Sequence, residues 1–136
     1  MSLLSPTIRT MLLANGEQSA KVYHFDPVPL VRLYNPIGPA VWLASELHAD
    51  GDTLFGLADL GLGCPELGCF SLRAIEAIRF AYGLSIERDH AFAPTHRLSL
   101  WTEAARVAGS IAEAQIMLRR LSSDSAAPPW IPTPGT

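Results

Sequence analysis

The chain has 136 residues, 49% of them hydrophobic and 17% charged, with 13 acidic against 10 basic side chains and a formal net charge of −3. A chain of this size buries about two-thirds of its surface on folding, enough for one hydrophobic core and one domain. High apolar content with low net charge excludes disorder of the chain as a whole, and a pI near 5.7 leaves no general basic footprint for nucleic acid.

No run approaches the ~20 apolar residues that a membrane-crossing helix needs. The start, Met1 to Pro6, lacks a basic segment followed by an apolar block, so no secretory leader is expected. Cys64 and Cys69 are the only cysteines, too few for a disulfide scaffold, and the chain reads as a cytoplasmic protein.

Ser5-Pro6 has the chemistry of a helix N-cap followed by proline at the first helical position. Ile8, Met11 and Leu12 recur at helical spacing, and Asn15-Gly16 reads as the stop, which predicts a helix over about residues 5–15. Residues 27–35 (PVPLVRLYN) read as a strand, with its prolines at an edge or at its start. Asn35-Pro36-Ile37-Gly38 is a tight turn, and residues 40–47 and 53–60 are two further strands. Connections this short make the three an antiparallel meander. The segment 61–68 reads as a loop. Ser71 then caps a helix in which Leu72, Ile75, Ile78 and Tyr82 share one face, ended by Gly83. Residues 84–87 suit one more short strand, and a third helix runs from Ser99 to Gly109. Ser110-Ile111-Ala112-Glu113 matches a capping box, starting a fourth helix whose apolar stripe ends at Leu121. The fold expected is α+β, an antiparallel three- to five-stranded meander with helices packed on one face. Residues 1–121 form its single domain, and 122–136 form a flexible tail rich in Pro, Ser and Ala.

Turn placement fixes register. With Asn35 facing Gly38, Arg32 pairs with Val41; with Leu47 facing Thr53, Val41 pairs with Asp59 and Leu43 with Leu57. One face then carries Arg32, Tyr34, Val41, Leu43, Phe55, Leu57 and Asp59, and this bulkier face is the one expected under the helices. Arg32 and Asp59 would flank Val41 within reach of an arginine fork, either as a structural ion pair or as an anion pocket in which Asp59 positions Arg32. Trp42 falls on the opposite face, to be covered by the first helix or the C-terminal helices, or else by a partner protein or a second copy of the chain.

Residues 59–69 (DLGLGCPELGC) are the densest in special residues. Gly61 and Gly63 do not open onto a helix as a phosphate loop does, so a structural turn is the better reading. Cys64 and Cys69 sit four intervening residues apart with no second tight pair, which disfavours zinc; the expected arrangement is Cys69 packed beside Phe70 and Cys64 free in a turn. Glu46 is expected on the face opposite Asp59, whereas Glu66 has the reach to approach it as a carboxylate pair. No serine sits in a GxSxG elbow, and His24, His48, His90 and His96 are scattered. No cofactor or metal is called for. Trp130, among Pro128, Pro129 and Pro132, has the look of a docking motif.

The run Asp59-Leu60-Gly61-Leu62-Gly63-x-Pro65-Glu66-Leu67-Gly68 followed by Ser71-Leu72 resembles domain-of-unknown-function family 2958. The resemblance extends over Leu13-Ala14-Asn15-Gly16, Asp26 to Leu33, Glu87-Arg88-Asp89 and Leu98 to Ala108, covering roughly residues 3–110. It implies a small bacterial protein of the kind often encoded on plasmids and integrative elements. It implies no activity and no catalytic residue, and Cys64 and Cys69 are not among its motif positions. The function expected is therefore a non-enzymatic protein-interaction accessory module, through Trp42 or the loop 59–68. The alternative is a small enzyme with a pocket at that loop, using Asp59 and Glu66 with Arg32 as anion holder. A nucleic-acid role would need a local patch of Arg73, Arg79, Arg119 and Arg120.

Overall fold

In the computed structural model, which describes residues 2–125, α1 (Pro6–Lys21) begins as its chemistry predicts. The Ser5 hydroxyl accepts the Ile8 N–H at 3.2 Å, with Pro6 at the first helical position. The helix does not stop at Asn15-Gly16 but runs to Lys21. Gly16 is its contact point with the sheet, since a Cβ there would overlap the Leu47 carbonyl oxygen. The Asn15 side-chain amide donates to the Ser45 carbonyl at 2.9 Å, so the expected stop is instead where helix meets strand.

Five strands form one antiparallel sheet: β1 (Val31–Tyr34), β2 (Val41–Leu47), β3 (Thr53–Asp59), β4 (Glu66–Ser71) and β5 (Glu87–Arg88), in the order β4-β3-β2-β1-β5. The meander β1-β2-β3 is as expected, with the prolines of 27–29 ahead of β1. Val41 pairs with Asp59 and Leu43 with Leu57, but Arg32 pairs with Leu43 and not Val41. The first turn is wider than expected, because the Asn35 N–H reaches the Ala40 carbonyl at 2.9 Å. A shift of two preserves the faces.

A β-bulge between Ala44 and Glu46 shifts the β2–β3 register by one, and the buried Ser45 is the extra residue. From there the faces exchange. Leu47 joins Trp42 and Ala44, while Glu46 lies opposite Phe55, on the face of Asp59 and not the face away from it.

Helices cover both faces instead of one. The face of Val31, Leu33, Trp42, Ala44, Leu47 and Leu54 packs against Leu4 and Leu12 and against Leu72 and Ile75 of the short α2 (Leu72–Glu76). The face of Val41, Leu43 and Leu57 packs against α3 (Leu98–Ala108) and α4 (Ile111–Ser125) through Leu98, Trp101, Ile111 and Leu118. Between them the two helix layers bury both faces of the sheet, which is why its central strand β2 is buried at every position.

Two elements depart from expectation. The loop read over 61–68 gives way at Glu66 to β4, a sheet-edge strand. The helix read up to Gly83 ends at Glu76: the Arg79 guanidinium donates to the Glu76 and Ile78 carbonyls at 2.6 and 2.9 Å, and Phe80 N–H bonds the Leu84 carbonyl. Leu72 and Ile75 still reach the core, but Tyr82 is fully exposed with φ 62°. Of the strand expected at 84–87 only Glu87 is in one, the two-residue β5, while Ser85 forms an isolated bridge to Arg79. Helices α3 and α4 lie where periodicity puts them, and Ser110 caps Glu113 N–H at 3.0 Å. Residues 122–125, expected in the flexible tail, belong instead to α4, and the rest of that tail, with Trp130, lies outside the described residues.

Candidate functional site

Asp59 ends β3 inside the protein, 2% exposed. Its Oδ1 accepts the Gly61 N–H and its Oδ2 accepts the N–H of Ile111, the first residue of α4, both at 2.9 Å. The first turn of a helix leaves N–H groups unpaired at the positive end of its dipole, and a carboxylate there satisfies both needs. Both oxygens of Asp59 therefore tie a strand end and a loop to α4.

Arg32 shares the sheet face of Asp59 but turns to the other side. Its Nη1 lies 3.4 Å from Asp89 Oδ2, its guanidinium carbon lies 5.2 Å from the centre of the Tyr34 ring, and its Nε has no partner among the described residues. Beside it the Tyr34 hydroxyl bonds Glu87 at 3.1 Å, and this bond pushes the phenol above its ordinary range. Glu66 opens β4 opposite Ala58 and is exposed. Trp42 is 7% exposed within the core under α1. The structure thus does not bring Arg32, Asp59 and Glu66 into one pocket, and Trp42 offers no docking face.

What the segment 58–68 does assemble is an apolar edge. Leu60 and Leu62 stand 56% and 78% exposed. Together with Ala58, Cys64 and Glu66 they line a hollow of about 140 Å³. Their loop is fixed from below. Gly61 has φ 83° and lies against the Pro39 ring, where a Cβ would overlap it, and Gly63 has φ 84°. Asp59 fixes the loop's first turn.

Beyond the loop, β4 pairs among the described residues only with β3, so alternate backbone N–H and C=O groups from Glu66 to Phe70 face away from the sheet. Among the described residues nothing stands within 4 Å of where a Gly68 Cβ would be. Sequence reading missed this strand because Leu67-Gly68-Cys69-Phe70 does not alternate and Pro65 precedes it. An exposed edge leaves little periodic signal.

Cys69 is exposed and not packed beside Phe70; Cys64 is exposed as expected. Among the described residues no group of three or more His, Cys, Asp or Glu side chains is placed to hold a metal ion. Arg73 belongs to α2 and Arg119 and Arg120 to α4, on opposite faces of the sheet, so these arginines do not form the local patch that a nucleic-acid role would need. Among the described residues no helix is long and apolar enough to cross a membrane.

Residues 3–112 match the family described as protein of unknown function (DUF2958), and the chain belongs to that family. No curated protein and no solved structure matches it.

Proposed function

We propose, taking membership of that family as the premise, that the protein is a non-enzymatic interaction module whose β4 edge takes up an extended segment of a partner protein. The observation that carries this reading is the edge of β4, unpaired among the described residues, beside two leucines held outward by a pinned loop. In strand addition the main-chain bonds supply affinity, and pockets for alternate side chains supply specificity. The hollow lined by Leu60 and Leu62 is such a pocket, sized for one apolar side chain, and Glu66 at its rim favours a basic neighbour on the incoming segment. A fixed loop loses little further entropy on docking, which favours binding over a loose loop of the same composition. Two exposed thiols suit a reducing cytoplasm, and an accessory role on a bacterial mobile element is compatible with this kind of surface. The enzyme reading has less support, because the carboxylate it relies on is already committed to two backbone N–H groups.

The test is a photo-crosslinking side chain at position 62, expressed in the native host, with the same group at the fully exposed Tyr82 as control. A discrete protein adduct from position 62 that is absent from position 82, and lost when Leu60 is changed to Ser, is the expected result. Identical adduct patterns from the two positions refute the proposal.

A further inference from the structure

The segment 91–96, which leads from β5 to α3, stands off from α4 and leaves a cleft of about 450 Å³, within the size range of small-molecule sites. It lies among the helices, and its residues take no part in the β4 edge. One wall is aromatic: the Phe92 and Trp101 rings lie with centroids 6.2 Å apart at 49°. Trp101 is only 2% exposed, yet its indole N–H has no hydrogen-bond partner among the described residues. A buried donor left unpaired carries a free-energy cost that an acceptor brought to that wall would relieve.

The polar wall is selective. His96 is held at both ring nitrogens, by the Thr95 hydroxyl at 2.7 Å and the Ser122 hydroxyl at 3.1 Å, so it serves as a fixed surface with no spare group. Arg119 lines the same cleft and makes no ion pair among the described residues. Among the described residues that line the cleft none is acidic. A guanidinium fork with no carboxylate partner among the described residues, in a cleft that Phe92 and Trp101 also line, suits a flat apolar molecule carrying a planar anion.

We infer that this cleft is a binding site for a small aromatic carboxylate, held by the Arg119 guanidinium and the Trp101 indole N–H with its ring along Phe92. The probe is 1-naphthoate, titrated into the full chain while the indole ¹⁵N–¹H signal of Trp101 is followed by NMR. The uncharged isostere 1-naphthalenemethanol is the comparator. The Trp101 signal is identified by its loss in Trp101→Phe, or by its proximity to Phe92 should that variant not fold. The expected result is a saturable shift of that signal with a Kd of about 1 mM, the range of a good fragment. The alcohol binds at least about tenfold more weakly, and Arg119→Ala weakens naphthoate by a similar factor with its thermal unfolding unchanged, as for the loss of one charge-assisted pair. An unmoved Trp101 signal up to about 10 mM, the weak end of fragment affinity, overturns the inference. Equal binding of the acid and the alcohol, or undiminished binding by Arg119→Ala, overturns it equally.

Discussion

Replacing Asp59 by Ala removes one acceptor group from two backbone N–H donors in different elements. The Ile111 N–H lies at a residue with no exposed surface, so water cannot replace the lost bond. A hydrogen bond to a charged group contributes about 1.5–3 kcal/mol net, and an orphaned buried donor costs a similar amount. The Gly61 N–H sits in an exposed loop and recovers most of its loss from solvent, leaving about 1 kcal/mol there. Asp59→Ala should therefore cost about 3–4 kcal/mol, lowering the melting temperature by roughly 10–15 °C for a domain of this size. Asp59→Asn keeps one acceptor and loses the charge at the helix terminus, for about 2 kcal/mol. Ser110→Ala removes only the exposed bond to Glu113 N–H at the same helix start and should cost about 1 kcal/mol. Urea unfolding of the three variants, compared at constant m, gives the ranking directly. A loss below about 1 kcal/mol in Asp59→Ala, or one no larger than that of Ser110→Ala, would refute the assignment of Asp59 as the anchor of α4.

Gly16→Ala should destabilise the protein by about 2 kcal/mol or more in urea unfolding, although the same change in a free helix stabilises by up to about 1 kcal/mol, because the methyl group meets the Leu47 carbonyl oxygen. Asp26 caps α3 from outside the helix, accepting the Ser99 N–H at 3.0 Å and the Ser99 hydroxyl. Asp26→Ala should cost about 1–2 kcal/mol by the same measurement, and unchanged stability would count against that cap. Asp50 accepts from the Thr53 hydroxyl, the Thr53 N–H and the Asp52 N–H, and these bonds hold its carboxyl at about 2 against an ordinary value of 3.8. A folded-state pKa below the unfolded value gives stability that is present above the unfolded pKa and lost as pH falls through the folded one. The wild type should thus lose stability on acidification from about pH 4 to about pH 2 more steeply than Asp50→Asn, and matching pH profiles would refute this.

The central meander was legible because its turns are written in side chains: Asn35-Pro36 and Asp50-Gly51 leave short connections, and short connections permit only antiparallel neighbours. Helices α3 and α4 were legible from their apolar spacing. The bulge at Ser45 was not, since one extra residue in an apolar run changes no composition, yet it moves Leu47 and Glu46 to the faces opposite those expected. Gly16 looked like a helix stop because glycine at a helix end and glycine at a helix–strand contact are the same letter; only the position of Leu47 separates them. The candidate site was half legible. The loop 59–68 stood out by its glycines and leucines, but the edge strand after it and the direction taken by Arg32 depend on pairings that no local pattern encodes.

The carboxylates explain why the acid–base reading looked attractive in sequence and loses its support in three dimensions. Asp26 caps α3 from 73 residues before Ser99, and Asp59 caps α4 from 52 residues before Ile111. Asp52 accepts the Arg73 N–H and the Ser71 hydroxyl at the start of α2. Flanking serines add local caps, Ser5 at α1, Ser71 at α2 and Ser110 at α4. A long-range cap does two things at once: it satisfies helix N–H groups and it fixes where the helix lies on the sheet. An aspartate spent this way has its oxygens occupied and its charge compensated by the helix terminus, so it is poorly placed to take a proton from a substrate. Chemistry that the scaffold has not already used must then be sought in groups without such duties. Among them are the outward leucines and open backbone of the β4 edge, on which the proposed function rests, and the Arg119 guanidinium, which lines the same cleft as Trp101.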